Sequence, residues 1–339
     1  MINMMKPITY KPLHSGEAIT AEMIEGLCRV KNTHNAELLV QAEAHGEVLK
    51  LNIIKNESLL NDDLLLVATE YILGHSTELK SVEVHNFNPD KKAGYLLQKY
   101  FLEENNVIRF GRHQFFQLRG IWHKDRDYVL GIETWTSSSA ERIHPVRPDI
   151  QTGVLYSKYI PQIEKTLSFR MIDLNRDLDV FHEWHNQPRV ADFWELPFSK
   201  PELKEYIQKG LKDPHTLPMI MECNGVATGY FEMYWCREDR LAPYYESESF
   251  DRGFHFLIGD VNFLGFHNTD AAIKSLLHFL FIDEVRTRRV MAEPRSDNEK
   301  VLKYVETSGG WKKLYEFDFP HKRAALLECK REAFYMGHI

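Results

Sequence analysis

The chain has 339 residues, 43% hydrophobic and 27% charged, which sets aside wholesale disorder and leaves room for about two domains. A formal net charge of -7 argues against nucleic acid as the main partner, because phosphate binding wants a basic face. Cys28, Cys223, Cys236 and Cys329 form no CxxC pair, and neither a signal peptide nor a long apolar run is seen, so a cytoplasmic protein with reduced thiols, no metal site and no membrane span is expected.

The first half reads as a small α/β unit. Ala36–Ile54 gives two strands joined through His45-Gly46. Ser58–His75 has helical spacing and a glycine near its end. A strand at Leu79–Phe87, a helix at Ala93–Asn105 and strands at Val107–Gly111 and His113–Leu118 follow. No chemical motif appears here, so residues 1–135 read as a scaffold or interface domain. Residues 136–165 are rich in serine, proline and polar side chains and read as a linker.

The second domain, 166–339, opens with a strand, a polar turn and a helix through Leu167–Val190. The "HEWH" of His182–His185 lacks the HExxH zinc spacing and reads as an exposed helix face. Ser199–Asp213 is a second helix, with Ser199 as N-cap and Pro201 in its first turn. Leu217–Glu238 is a hairpin around Asn224-Gly225.

Next comes "FDRGFHFLIGDVNFLGFH", Phe250–His267. Alternation along a strand puts Phe254, Phe256 and Ile258 on one face and His255 with Leu257 on the other. Gly259 ends the run and allows a bend or a close neighbour. Beyond the loop, Ile273, Leu276, Leu277 and Leu280 mark a helix. Strand, glycine loop and helix start direct free N–H groups at whatever sits in the loop, and an anion suits such a place. Many such turns bind nothing. A strand at Arg288–Pro294 follows, then a helix with Ser296 and Glu299 at capping-box spacing and Gly309 as its stop, and two closing strands.

This order, with its loop Asn262-Phe263-Leu264-Gly265-Phe266-His267, resembles the GNAT acyltransferase superfamily, whose loop is Q/R-x-x-G-x-G/A. Asn262 and His267 depart from that pattern. The motifs "SFRMID", "DFWE", "GYFEMYW", "FDRGFHFLIGD", "AEPRSDN" and "EFDFPHKRA", in this order, resemble the branch that forms siderophore hydroxamates, typified by the aerobactin-pathway N6-hydroxylysine acetyltransferases. The resemblance is close from Arg147 to the C-terminus and weak before it, where that branch carries an extra N-terminal domain.

The resemblance implies an α/β (α+β) GNAT fold: a mixed, mostly antiparallel sheet flanked by helices, preceded by an α/β domain that could be a degenerate GNAT-like unit. It implies acetyl-CoA or succinyl-CoA as donor, with no metal, and a small N-hydroxylated amine as acceptor; a homodimer is open. It gives His255 as general base and Asp297 as its neighbour. The amides of Gly265, Phe266, His267 and Asn268 would hold the CoA pyrophosphate, Leu257 and Ile258 the pantetheine, and Asn298 and Tyr304 would reach the cofactor. Arg286, Arg288 and Arg289 could meet a nucleotide phosphate or form a solvated basic face. Trp194, Glu195, Glu232, Tyr234 and Trp235 would line the acceptor pocket, with Arg252 or Arg295 for a carboxylate. Two other readings stay open: a GNAT enzyme acting on an ordinary amine, and an inactive CoA-binding or docking module.

Overall fold

The computed structural model describes residues 5–13, 15–56, 63–86, 101–124, 132–137, 142–149, 151–308, 310–337 and 339. They divide into two compact units, Met1–Asp125 with Tyr159–Glu164, and Arg126–Lys158 with Lys165–Ile339.

The first unit is built on β1 (Ile8–Tyr10), β2 (Ile19–Ile24), β3 (Leu27–Asn32), β4 (Glu37–His45), β5 (Val48–Asn56), β6 (Ser81–His85), β7 (Leu102–Glu104) and β8 (Val107–Gly111). Their order in the sheet is β1-β2-β3-β4-β5-β6-β8-β7. Among the described residues its pairs are antiparallel except β5 with β6, which run parallel in register from Val48↔Ser81 to Asn52↔His85. Helix α1 (Asp63–His75) joins that pair and is buried along nearly its whole length. The expected start of this helix, 58–62, lies outside the described residues, as does 93–100 of the expected second helix. The rest of that second helix was misread, since Leu102–Glu104 is a strand.

His113–Leu118 is not a strand either. The chain turns into the short helix α2 (Arg112–Phe115). There Gly111 N–H donates to the Gln114 side chain at 2.7 Å, and the Arg112 guanidinium donates to the carbonyls of Leu73 and Ser76. Those carbonyls lie in the last turn of α1 and just past it, where a helix lacks internal partners, and this contact overrides the β-propensity of the run.

In the second unit β9 (Trp135–Ser137) and β10 (Ile143–Pro145) form a small ladder inside the expected linker. The same stretch holds β11 (Val154–Ile160), which joins the main sheet because buried Leu155 and Tyr156 give it apolar anchors, Tyr156 stacking on Phe169. The sheet continues with β12 (Lys165–Met171), β13 (Thr216–Cys223), β14 (Val226–Trp235), β15 (Arg252–Ile258), β16 (Arg289–Ala292), β17 (Trp311–Asp318) and β18 (Arg323–Lys330). Its order is β11-β12-β13-β14-β15-β16-β18-β17.

Helices α3 (Leu174–His185), α4 (Pro188–Trp194) and α5 (Lys200–Lys212) lie between β12 and β13. Ser199 caps α5, and Asn224 and Gly225 take the left-handed turn of the hairpin. The "HEWH" segment is not an exposed face: Trp184 and His185 are buried, packed with Phe181, Tyr230 and Leu257. Gly259 leaves the room for this, because a Cβ there would collide with the Trp184 ring. Helix α6 (Phe266–Asp283) links β15 to β16, α7 (Glu299–Thr307) links β16 to β17, and α8 (Arg331–Gly337) ends the unit. The cap of α7 is Asn298, whose side chain accepts from Val301 N–H, rather than Ser296; Gly309 lies outside the described residues.

One feature of this sheet matters most for the site. β15 runs beside β14 for seven residues, yet it pairs with parallel β16 only at Arg252↔Val290 and Gly253↔Met291. Beyond Gly253 the two strands part and leave the edge of β15 open.

Candidate active site

His255 sits on the diverging part of β15, directly opposite Glu232 of β14. Counting two places on from Gly253↔Met291 brings it opposite Glu293, just past β16. Both carboxylates reach the ring: Nδ1 lies 3.3 Å from Glu232 Oε2, and Nε2 lies 2.8 Å from Glu293 Oε1. Tyr234 donates to the other Glu293 oxygen at 2.6 Å, while Tyr206 and Tyr230 donate to Glu232 Oε1. Gly253 makes this possible, since a Cβ there would collide with the Tyr234 ring.

Burial by itself would lower the His255 pKa. The two facing carboxylates outweigh it, Glu293 most, and raise the imidazole to about 10. Burial pushes Glu293 up, but His255 and then Lys322 and Tyr234 bring it down to about 2. Glu232 is likewise held below its ordinary value, with His255 overcoming desolvation. Both carboxylates therefore favour the charged form of the ring, an influence that the expectation of a general base at His255 did not include.

The set opens into a cavity of about 1020 Å³. Of the expected residues, Trp194, Glu195, Glu232, Tyr234, His255, Leu257, Ile258, Gly265, Arg295, Asn298 and Tyr304 line it. Others lie elsewhere. Asp297 is exposed and accepts both arms of the Arg295 guanidinium at 3.0 Å, so His255 takes its carboxylates from Glu232 and Glu293 instead. Arg252 is fully buried, ion-paired with Asp283 and stacked over Trp235. Trp235 points away from His255, because it falls on the β14 face opposite Glu232 and Tyr234. Arg286 pairs with Glu284 and Glu133, and Arg289 with Asp251, which takes both away from a nucleotide. Arg288 is exposed.

At the other end, Gly265 caps α6 with φ 130°, a conformation that favours glycine. Thr269 N–H is the first to bond back, to the Gly265 carbonyl, so the amides of Phe266, His267 and Asn268 form the open first turn of the helix. The side chains of Phe266 and His267 are exposed, and Phe266 stacks on Tyr304. Asn262 bonds to Asp260. Gly259 N–H bonds to Thr228 on β14, so by alternation the Ile258 carbonyl faces the open edge. There Arg189 of α4 donates to it at 2.7 Å and to the Gly259 carbonyl at 2.6 Å.

Sequence reasoning missed Glu293, Tyr206, Arg189 and Lys322. Glu293 stands in the "AEPRSDN" motif, two residues before Arg295, and the quoted motif was the only signal for it. Tyr206 is one polar-tipped position on an amphipathic helix. Lys322 donates to the Glu293 carbonyl at 2.7 Å from the turn between β17 and β18.

A mixed sheet whose parallel pair splays, an open strand edge and a glycine-capped helix N-terminus define the GNAT acyltransferase class. The GNAT acetyltransferase domain family matches residues 173–319. The N(6)-hydroxylysine O-acetyltransferase of Escherichia coli is 36% identical over 224 residues, covering 66% of this chain and 70% of that protein. The N(5)-hydroxyornithine:cis-anhydromevalonyl coenzyme A-N(5)-transacylase of Beauveria bassiana is 38% identical over 58% of this chain and 44% of its own length. An uncharacterized protein of Bacillus halodurans, solved as a crystal structure, covers 55% of this chain and 95% of its own with 29% identity and a TM-score of 0.52. The chain spans about half the length of the first curated relatives it matches. The chain belongs to the GNAT acetyltransferase family.

Proposed function

We propose that the unit formed by residues 166–339, with β11, transfers an acyl group from a CoA thioester to the terminal hydroxylamine of a small N-hydroxylated amine, giving a hydroxamate of the kind siderophores use. The observation that carries this reading is His255. It lies on the open-edged strand, in a cavity that runs from the N-terminus of α6 to a wall of acidic and aromatic groups. The names of the Escherichia coli and Beauveria bassiana relatives support the acceptor class.

The residues fit both substrates. Open amides at Phe266 to Asn268 and the positive end of an 18-residue helix suit a pyrophosphate. The edge of β15 offers amide partners to a pantetheine arm, and Asn298 and Tyr304 border the same cavity. Trp194 and Glu195 suit the distal ammonium that hydroxylated lysines and diamines share. An alkylhydroxylamine is far less basic than an amine, so its nitrogen reaches the thioester carbonyl uncharged at neutral pH. No deep deprotonation is needed. The cysteines are buried, and none lines the cavity, which favours direct transfer in a ternary complex over an acyl-enzyme.

The test is a panel of N-hydroxylated lysine, ornithine, putrescine and cadaverine, each beside its parent amine, crossed with acetyl-CoA and succinyl-CoA and read by thiol release. Faster transfer to the N-hydroxylated member of a pair is the expected result. Equal or faster transfer to the parent amine overturns the hydroxamate reading and leaves an ordinary-amine acyltransferase.

A further inference from the structure

We propose that Glu232 takes the proton released by the acceptor nitrogen, that His255 acts as an imidazolium acid, and that Glu293 is the positioning residue that holds the ring in that form. This rests on the acyl-transfer reading above.

The argument is geometric. An ionised carboxylate only accepts hydrogen bonds, so a ring with both nitrogens on carboxylates donates from both. Such a ring has no lone pair for an incoming proton. The two sides of His255 are unequal. On the Nε2 side the contact is 2.8 Å, and the Glu293 side chain is 1% exposed with its second oxygen taken by Tyr234. On the Nδ1 side the contact is 3.3 Å, and the Glu232 side chain is 14% exposed. Both carboxylates border the cavity, and the other oxygen of Glu232 accepts from Tyr206 and Tyr230; the shorter, drier contact to Glu293 holds the ring, and the longer, more exposed one to Glu232 does the proton transfer.

The steps balance. The hydroxylamine nitrogen forms a bond to the thioester carbon, whose π pair moves to oxygen. The proton on that nitrogen passes to the Glu232 carboxylate. The oxygen pair re-forms the carbonyl, the C–S bond breaks with its electrons on sulfur, and the thiolate takes the Nδ1 proton of His255. Glu232 then returns its proton to Nδ1. The products are hydroxamate and free thiol, and the set regains its charge.

The charged and titratable groups around the ring all bear on its pH behaviour. Glu232, Tyr230 and Tyr234 come from β14, Glu293 from beyond β16, Tyr206 from α5, and Lys322 from the turn before β18. The carboxylates dominate and keep the ring charged up to about pH 10.

The test is kcat against pH at saturating substrates. The unmodified enzyme is expected to stay level from about pH 7 to 9. Glu293→Gln removes the anion that holds the cation, so its kcat should fall tenfold per pH unit once the ring's pKa drops to the ordinary value of about 6.5 or below. Glu232→Gln should lose roughly 10²–10⁴ in kcat with CoA affinity within about twofold, and formate should restore part of the rate to Glu232→Ala. A rise in the unmodified kcat through pH 6 to 8 makes neutral imidazole the base and overturns the proposal. So does a Glu293→Gln profile like that of the unmodified enzyme, or near-full activity in Glu232→Gln. If no amine of either kind accepts an acyl group, the acyl-transfer reading itself fails. The ring is tested without substrate by ¹⁵N NMR at pH 8: both nitrogens protonated in the unmodified protein and one in Glu293→Gln supports its role, and a neutral ring in the unmodified protein overturns it.

Discussion

The two sheets of this molecule have the same strand order. β1 to β8 and β11 to β18 are each arranged with the sixth strand beside the fifth and the eighth before the seventh, and in each the fifth and sixth strands are the parallel pair, joined by a buried helix. Even the address of the His255 set recurs. In the first sheet Lys50 stands opposite Glu43 on one side and Glu83 on the other, as His255 stands between Glu232 and Glu293. Two differences separate them. The first sheet keeps its parallel pair in register for five residues, where the second parts after two. The first joins β2 to β3 by a tight turn at Glu25 and Gly26, where the second inserts α3, α4 and α5 between β12 and β13. Without those helices Glu43 is 45% exposed, and it bonds to Gln41 while Glu83 bonds to Arg109. Position in a sheet therefore does not make a site; the parting of the strands and the helical wall do, by opening a cavity and drying the charges.

The largest expected effect tests that contrast at its centre. His255→Ala should lower turnover by roughly 10²–10⁴-fold while acetyl-CoA binding, measured by calorimetry, stays nearly intact. Lys50→Ala, at the matching address, should leave turnover unchanged. Comparable losses from both would mean that the first sheet takes part in the chemistry.

The next effect concerns the entry to α6. A Cβ at Gly265 would meet nothing within 4 Å, so a side chain there is not blocked; the obstacle is the backbone, at φ 130°. Gly265→Val should therefore distort the first-turn amides and weaken CoA binding about tenfold, the scale of 1–2 kcal/mol of strain. Gly46→Val, at φ 61° in the β4–β5 turn of the first sheet, carries a comparable backbone cost and should leave CoA affinity alone. If Gly265→Val folds and binds CoA normally, the phosphates bind elsewhere.

Much of this was legible in the sequence because it is local. Alternation put His255 on its face of β15, Asn224-Gly225 announced the hairpin, and the stripe from Ile273 to Leu280 marked α6. What was not legible depends on pairings distant in sequence. Glu293 reaches His255 only through the register of a parallel pair whose strands are 31 residues apart from Ile258 to Arg289 (289 − 258), and no local periodicity carries that register. Asp297 came forward through the family resemblance alone; an acid near a helix start has a local reason to be there, and Arg295 gives it a further partner. Trp184 and His185 read as an exposed face once the zinc spacing was ruled out, yet the glycine at 259 that admits Trp184 lies just past β15, far away in sequence.

The smallest expected effect lies where the helical insertion returns to the sheet. His215 precedes β13, a place the first sheet fills with the β2–β3 turn. Its Nδ1 is 2.7 Å from Asp213 and its Nε2 3.5 Å from Asp239. Burial opposes the charge, but Asp239 and Asp213 win and raise the imidazole to about 8. A raised histidine pKa means that the folded state binds the proton more tightly. The stabilisation is then complete below the unfolded value of about 6.5 and is lost as pH climbs through 8. The ring is 27% exposed, so the contribution is discounted to about 1 kcal/mol. His255 adds a loss of the same sign that runs on towards pH 10, so the unmodified protein alone cannot isolate His215. The difference from His215→Asn can. Urea unfolding followed by tryptophan fluorescence reports the second unit, since every tryptophan but Trp122 belongs to it. The unmodified protein should exceed His215→Asn by about 1 kcal/mol at pH 6, and the gap should close by pH 9. A gap that is the same at both pH values would show that His215 acts through packing, and that the return of the insertion to the sheet is held without its charge.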